Sequence, residues 1–149
     1  MAKRILVPLD EAVPAERTLE AVAAQARAAG ATVRLLHVAP RTDNVVDDDG
    51  HVLAYSDQET ARVEAEKIDY LHTAAIPLDG VAVEYVVRFG DPVPRILEEA
   101  DDWNADLIVM ATRGRSCIGR ALLGSVAEQV FRRTSPAVTL FRAERDRTA

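Results

Sequence analysis

Residues 107–125 read Leu-Ile-Val-Met-Ala-Thr-Arg-Gly-Arg-Ser-Cys-Ile-Gly-Arg-Ala-Leu-Leu-Gly-Ser, and they hold the residues best suited to chemistry. An apolar run breaks into a loop with Gly114, Gly119 and Gly124, and Arg113, Arg115 and Arg120 stand between them. Ser125-Val-Ala-Glu128 then has the spacing of a capping box that opens a helix. Glycines let backbone N–H groups approach a ligand closely, and a helix N-terminus turns its positive dipole end toward an anion. Arg113 and Arg115 add guanidinium groups that can fork onto phosphate oxygens. The chemistry is that of holding a small phosphate ligand. No catalytic set accompanies it: no lysine follows the glycines in P-loop fashion, and no Ser/His/Asp or Cys/His arrangement stands out. Cys117 has no His or second Cys near it in sequence and reads as an ordinary thiol, and His37, inside an apolar run, reads as a satisfied core histidine.

The charge distribution agrees with a local anion site. The chain of 149 residues has a net charge of −6, with 10 Lys+Arg against 21 Asp+Glu in residues 1–112 and eight arginines against three acids in residues 113–149. An acidic protein is poorly matched to duplex nucleic acid, where phosphate neutralisation dominates binding. Arg132, Arg133, Arg142, Arg145 and Arg147 read as a solvated face and tail. No apolar run reaches the roughly 20 residues of a membrane helix, and Pro8 and Asp10 interrupt the first apolar run too early for a signal peptide. The single cysteine fits a reducing compartment, so the expected location is the cytoplasm.

Five short apolar segments must position this loop: Lys3–Leu9, Thr32–Val38, Val81–Val87, Asp106–Met110 and Pro136–Phe141. Helical spacing separates them. Ala15, Leu19, Val22, Ala23 and Ala26 form one stripe, with Pro14 in its first turn and Gly30 at its stop. Ser56-Asp-Gln-Glu59 reads as a second capping box, followed by a stripe of Ala61, Ala65, Ile68, Leu71 and Ala75. Gly90-Asp91-Pro92 supplies a turn, an N-cap and a first-turn proline before Val93, Ile96, Leu97, Ala100 and Trp103. Val126, Ala127, Val130 and Phe131 form the last inward stripe. Residues 40–54 read as a long, acidic surface loop. Aligning Gly50 with the glycine of a calcium-binding loop puts Val45 and Ser56 at the end ligand positions, so no metal site is expected there. Strands read as wholly apolar, alternating with helices, mean a parallel sheet covered on both faces, in a doubly wound open α/β fold. Ligands bind such folds beyond the strand C-termini, where strand order reverses, and Asp10 and the glycine loop would then face one crevice.

These residues resemble the universal stress protein family from Ile5 to Arg142. The resemblance rests on Ile-Leu-Val-Pro8-Leu-Asp10, on Leu36-His37-Val38, and on Gly114 followed after nine residues by Gly124-Ser125. The family pattern has a glycine where Ala111 stands. The resemblance implies a domain over residues 1–142 with a polar tail over 143–149, and five parallel strands in the order 3-2-1-4-5. It places Pro8, Leu9 and Asp10 beside a ribose and base, the Val38 backbone at the adenine edge, and Met110 and Ala111 at the start of the loop. Gly114, Gly124, Ser125 and Val126 would meet the phosphates. The implied ligand is ATP, with or without Mg²⁺, and the implied state is a dimer. Physics agrees on the last point, because an edge strand Ala137–Phe141 presents unpaired backbone and apolar side chains to a two-fold mate.

The expected function is therefore a nucleotide-binding regulatory homodimer of the stress response, with at most slow ATP hydrolysis. The alternative is a dimeric adaptor of the same family that binds no nucleotide and works through an unidentified protein partner. Ala111 leaves both open: its methyl group narrows the backbone approach without removing a donor, or it marks a member that has lost ATP. Ser125 is explained by an N-cap, which is compatible with a phosphate contact, and Asp10 by a ligand contact or by a turn after its strand.

Overall fold

The computed structural model describes residues 1–42, 44–112 and 125–142. Arg4–Pro8 (β1), Glu16–Ala29 (α1), Thr32–Ala39 (β2), Val45–Val46 (β3) and Val52–Ala54 (β4) come first. Ser56–Ala74 (α2), a 3₁₀ turn over Ile76–Leu78 and Ala82–Phe89 (β5) follow. Pro92–Trp103 (α3), Leu107–Thr112 (β6), Ser125–Arg133 (α4) and Ala137–Arg142 (β7) complete the described chain. The main sheet has the order β5-β2-β1-β6-β7 with every pair parallel. Counting its strands alone, that is 3-2-1-4-5, as expected.

Two apolar layers enclose the sheet. On one face Ile5, Val7, Val33, Leu35 and Val109 pack with Leu19, Val22 and Ala26 of α1 and Leu71 of α2. On the other, Leu6, Leu36, Ile108 and Met110 pack with Val93, Ile96 and Ala100 of α3 and Ala127 and Val130 of α4. Strand alternation divides β1 between the two layers. Turn chemistry closes the elements. Gly30 ends α1 with φ of 63°, a left-handed cap glycine reaches without strain, and Asn104 ends α3 with φ of 54°. The Asp106 carboxylate accepts the backbone N–H groups of Lys3 and Arg4 at 3.0 and 2.9 Å, fixing the start of β1 against the start of β6. Those two hydrogen bonds hold its carboxyl below the ordinary carboxylate value. Among the described residues no helix is long and apolar enough to cross a membrane.

Several details differ from the sequence-based expectation, beginning with Pro14, which precedes the Ala15 cap of α1 rather than standing in its first turn. The acidic stretch 40–54 is not all loop: β3 and β4 pair as an antiparallel hairpin. The helix α2 starts at Ser56 with Tyr55 as its cap. Gln58 rather than Glu59 receives the cap N–H, at 3.2 Å, and Glu59 pairs with Arg62. Ala61 and Ala65 are exposed, because α2 meets the sheet only from about Ile68 onward. Phe131 points outward and is 57% exposed, Ala127 and Val130 already filling the inward face of a nine-residue helix. Finally, β5 is not wholly apolar. It is an edge strand on which Val83, Tyr85 and Val87 pack on one core while Glu84 and Arg88 point to the other face.

That other face carries a charged cluster which periodicity does not reveal. Glu99 of α3 is 2% exposed, and its carboxylate accepts from Arg34 Nη1 at 2.6 Å and from Arg88. Arg34 also reaches Glu84 at 2.7 Å and lies over the Trp103 ring, 4.5 Å from its centroid. Trp103 is therefore half-buried, packed against the α3-side core and covered by a guanidinium.

Candidate functional site

The site begins with a difference in strand length. Pro8 is the last residue of β1 and pairs with Leu36, and Leu9 N–H makes one more ladder bond, to Leu36 O at 2.8 Å. The chain then turns. Ala12 N–H donates to Asp10 Oδ1 at 2.9 Å and Val13 N–H to Asp10 O at 2.9 Å. Both neighbours of β1 run on, β2 to Ala39 and β6 to Thr112. The shortfall opens a crevice at the C-terminal edge of the sheet, between the strands where the winding direction changes.

Strand parity decides what β2 presents there. Ala39 O accepts Gly90 N–H on the β5 side, so the alternate residues Leu36 and Val38 aim their backbone polar groups at the β1 side. Leu36 meets Leu9, but opposite Val38 no strand remains among the described residues. The Leu9 carbonyl, the next acceptor in line, is met instead by the His37 side chain, with Nδ1 at 2.9 Å. A carbonyl only accepts, so Nδ1 carries the proton. His37 is 9% exposed and its ring lies edge-on to Tyr70, with centroids 5.6 Å apart. Burial, reinforced by the Glu11 and Asp10 carboxylates, pushes the Tyr70 hydroxyl up to about 12. Lys67 of α2 reaches Glu11 at 2.7 Å and ties down the turn after β1, and this hydrogen bond raises the Lys67 ammonium above its ordinary value.

The crevice measures about 630 Å³, within the span of small-molecule sites. Its walls include Pro8, Leu9, Asp10, Val38, Met110, Ala111, Ser125 and Val126, so the fold gathers these predicted residues from four elements into one place. Arg113, Gly114, Arg115 and Gly124 lie outside the described residues. His37, read from sequence as a core histidine, also lines it, as do Pro40, Pro92, Ile96 and Thr112, which sequence reasoning did not assign to the site. Pro40 and Pro92 each follow a strand end in the sheet that borders the crevice, a positional signal that was legible. Ile96 looks like any other core residue of α3 in sequence.

The lining is apolar toward Ile96 and Met110 and polar at Asp10, Thr112 and Ser125. Ser125 opens α4, so the first N–H groups of that helix border the same space. One side thus offers a helix start to an anion, the other the Val38 backbone donor and acceptor, unpaired among the described residues, beside apolar walls. A cation could draw on the Asp10 carboxylate and the Ser125 hydroxyl there. That sparse oxygen set suits an Mg²⁺ ion that arrives on phosphates and keeps its waters, rather than a protein-built cage. Among the described residues the cluster with metal-ligand spacing is Asp47, Asp49 and His51, and it lies on the hairpin, away from the crevice.

Comparisons with known proteins agree with this architecture. The universal stress protein family model matches residues 1–142. A universal stress protein of Thermus aquaticus is 32% identical over 143 residues, covering 95% of this chain and all of the relative. The solved structure of protein MJ0577 superposes with a TM-score of 0.75 at 24% identity, covering 97% of this chain and 98% of that one. By sequence, MJ0577 is a universal stress protein of Methanocaldococcus jannaschii. A universal stress protein solved in complex with cAMP superposes with a TM-score of 0.70 at 22% identity, covering 96% and 98% of the two chains. Fold, strand order and matched span agree, and the chain belongs to the universal stress protein family.

Proposed function

We propose that the crevice binds an adenine nucleotide, with ATP, carrying Mg²⁺ or not, as the reference ligand, and that the protein acts as a regulatory homodimer in the cytoplasm. The observation that carries this reading is the Val38 backbone. Its N–H and C=O face the space that β1 leaves, and this donor–acceptor pair is complementary to the adenine edge, where N1 accepts and N6 donates. Asp10 and Pro8 then stand beside the ribose, and Ser125 and Val126 at the phosphates. The relative with bound cAMP supports the ligand class. Ala111 lines the crevice as a methyl group on β6 and leaves its strand backbone intact, which supports a tolerated substitution. Turnover is slow or nil, since the reading rests on positioned phosphates and on no general base. Dimerisation through Ala137–Phe141 is supported by β7, which among the described residues is a sheet edge paired on one side by β6.

Thermal melting with and without nucleotide tests the reading. At a hundredfold excess over Kd, ligand binding adds about 2.7 kcal/mol and raises the melting temperature by roughly 5–10 °C. No shift at millimolar ATP, ADP or AMP sinks it, and light scattering that reports a monomer at micromolar concentration sinks the dimer. The adaptor reading gains from one feature, the projecting acidic hairpin, on which Val46 is 55% and Val52 44% exposed. An unshifted melt in a protein that remains dimeric would favour it.

A further inference from the structure

The crevice continues past the position assigned to the base. Across Val38, Pro40 and Pro92 it opens into a second groove of about 540 Å³, walled by Arg41 and Arg95. Gly90, with φ of 127°, lies between the two arginines. A Cβ placed there would stand 3.8 Å from Arg41 Nε and 3.8 Å from the Arg95 side chain, in ordinary van der Waals contact with both, so the two side chains flank the backbone at this point. Arg95 has a counter-charge, Glu98, at 2.9 Å. Arg41 has no hydrogen-bond or ion-pair partner among the described residues. The acid within the groove is Asp91, the N-cap of α3. Two guanidinium groups therefore border the groove against one lining carboxylate, at the end of the crevice opposite Ser125.

From this arrangement we infer that the groove receives an anionic arm attached to the purine base, so that the ligand class extends to nucleotides with a carboxylated chain on the exocyclic nitrogen. The inference rests on the assignment of Val38 to the base edge. An N6-substituted adenine keeps one N–H for the Val38 carbonyl, and its substituent leaves the ring on the side where the groove begins. A planar carboxylate there meets Arg41, which has no ion-pair partner among the described residues, in the fork geometry that guanidinium favours. A neutral arm of equal length would gain only contact area.

Calorimetric titration with AMP and with N6-(1,2-dicarboxyethyl)-AMP tests the inference on the wild-type protein and on an Arg41→Ala/Arg95→Ala double variant. The substituted nucleotide should bind the wild type about tenfold tighter than AMP, the return of one or two partly exposed charge-assisted hydrogen bonds. The double variant should bind both ligands equally and keep its affinity for AMP. Equal affinities in the wild type, or an advantage that survives in the double variant, overturns the role of the groove and leaves the nucleotide reading standing. Failure of AMP itself to bind at millimolar concentration overturns both.

Discussion

His37 is a buried histidine whose Nδ1 proton is committed to the Leu9 carbonyl. In an uninterrupted parallel ladder that carbonyl would take the Val38 N–H, so the imidazole substitutes for a strand bond and releases a backbone donor at the crevice wall. The reading of His37 as a satisfied core residue was legible from its apolar neighbours. Its partner was not, because the contact joins residues 28 positions apart. Tyr70 behind it offers a spectroscopic handle. Its pKa of about 12 lies above the ordinary tyrosine value near 10, so the folded state holds the phenolic proton more tightly than the unfolded chain does. The associated stability is complete below about pH 10 and is lost as pH rises through about 12. Absorbance titration of the folded protein should show a late-ionising tyrosine in that window, and Tyr70→Phe should remove that component. A titration that is unchanged by the substitution would contradict the buried setting.

At the scale of elements, α2 shows why boundaries are hard to read from one sequence. Ser56 and Glu59 have the spacing of a capping box, yet the chain enters the helix one residue earlier, with Ser56 N–H held by Asn44 Oδ1 at 2.7 Å. That contact comes from the loop before the hairpin, so the hairpin and the helix start are set together. The register predicts distinct outcomes at neighbouring positions. Gln58→Ala removes the acceptor of the Tyr55 N–H and should cost about 0.5–1 kcal/mol in a urea melt. Glu59→Ala breaks only an exposed pair with Arg62 and should leave the midpoint unchanged. The reverse result would restore the capping box expected from sequence. Phe131 carries the same lesson for α4: a helix of nine residues buries few positions, and the 3.6-residue period alone assigned it one too many.

For the whole molecule, the five-stranded order and the place of the crevice were legible because wholly apolar segments such as Ile5–Val7 and Leu107–Met110 belong in the middle of a covered parallel sheet. The charged cluster on the α3 face was not legible. Arg34, Glu84, Arg88 and Glu99 come from three elements, and each looks like a surface residue until the strands pair. Glu99→Gln should therefore destabilise the fold by about 3 kcal/mol, since Arg34 and Arg88 lose a buried counter-charge while volume is conserved. A chemical-denaturation midpoint equal to that of the wild type would show that the guanidinium groups find water instead. The arginines and glycines of 113–124, prominent in sequence, belong to the part of the chain outside the described residues, so the proposed phosphate contacts rest on Ser125 and Val126 alone.

The stagger between β1 and its neighbours implies that this cavity is a vacancy in a ladder more than a hole in a core. By the register, Pro8 faces Leu36 while β2 continues to Ala39, an overhang of about 10 Å at the usual rise per residue. A flat heterocycle bound there would take up hydrogen bonds that the next residues of a longer β1 would otherwise own. Chain length and ligand then compete for the same backbone groups. The depth of the slot is set by how soon one strand stops, a quantity that insertions before the Asp10 turn could change without altering a single side chain in its walls.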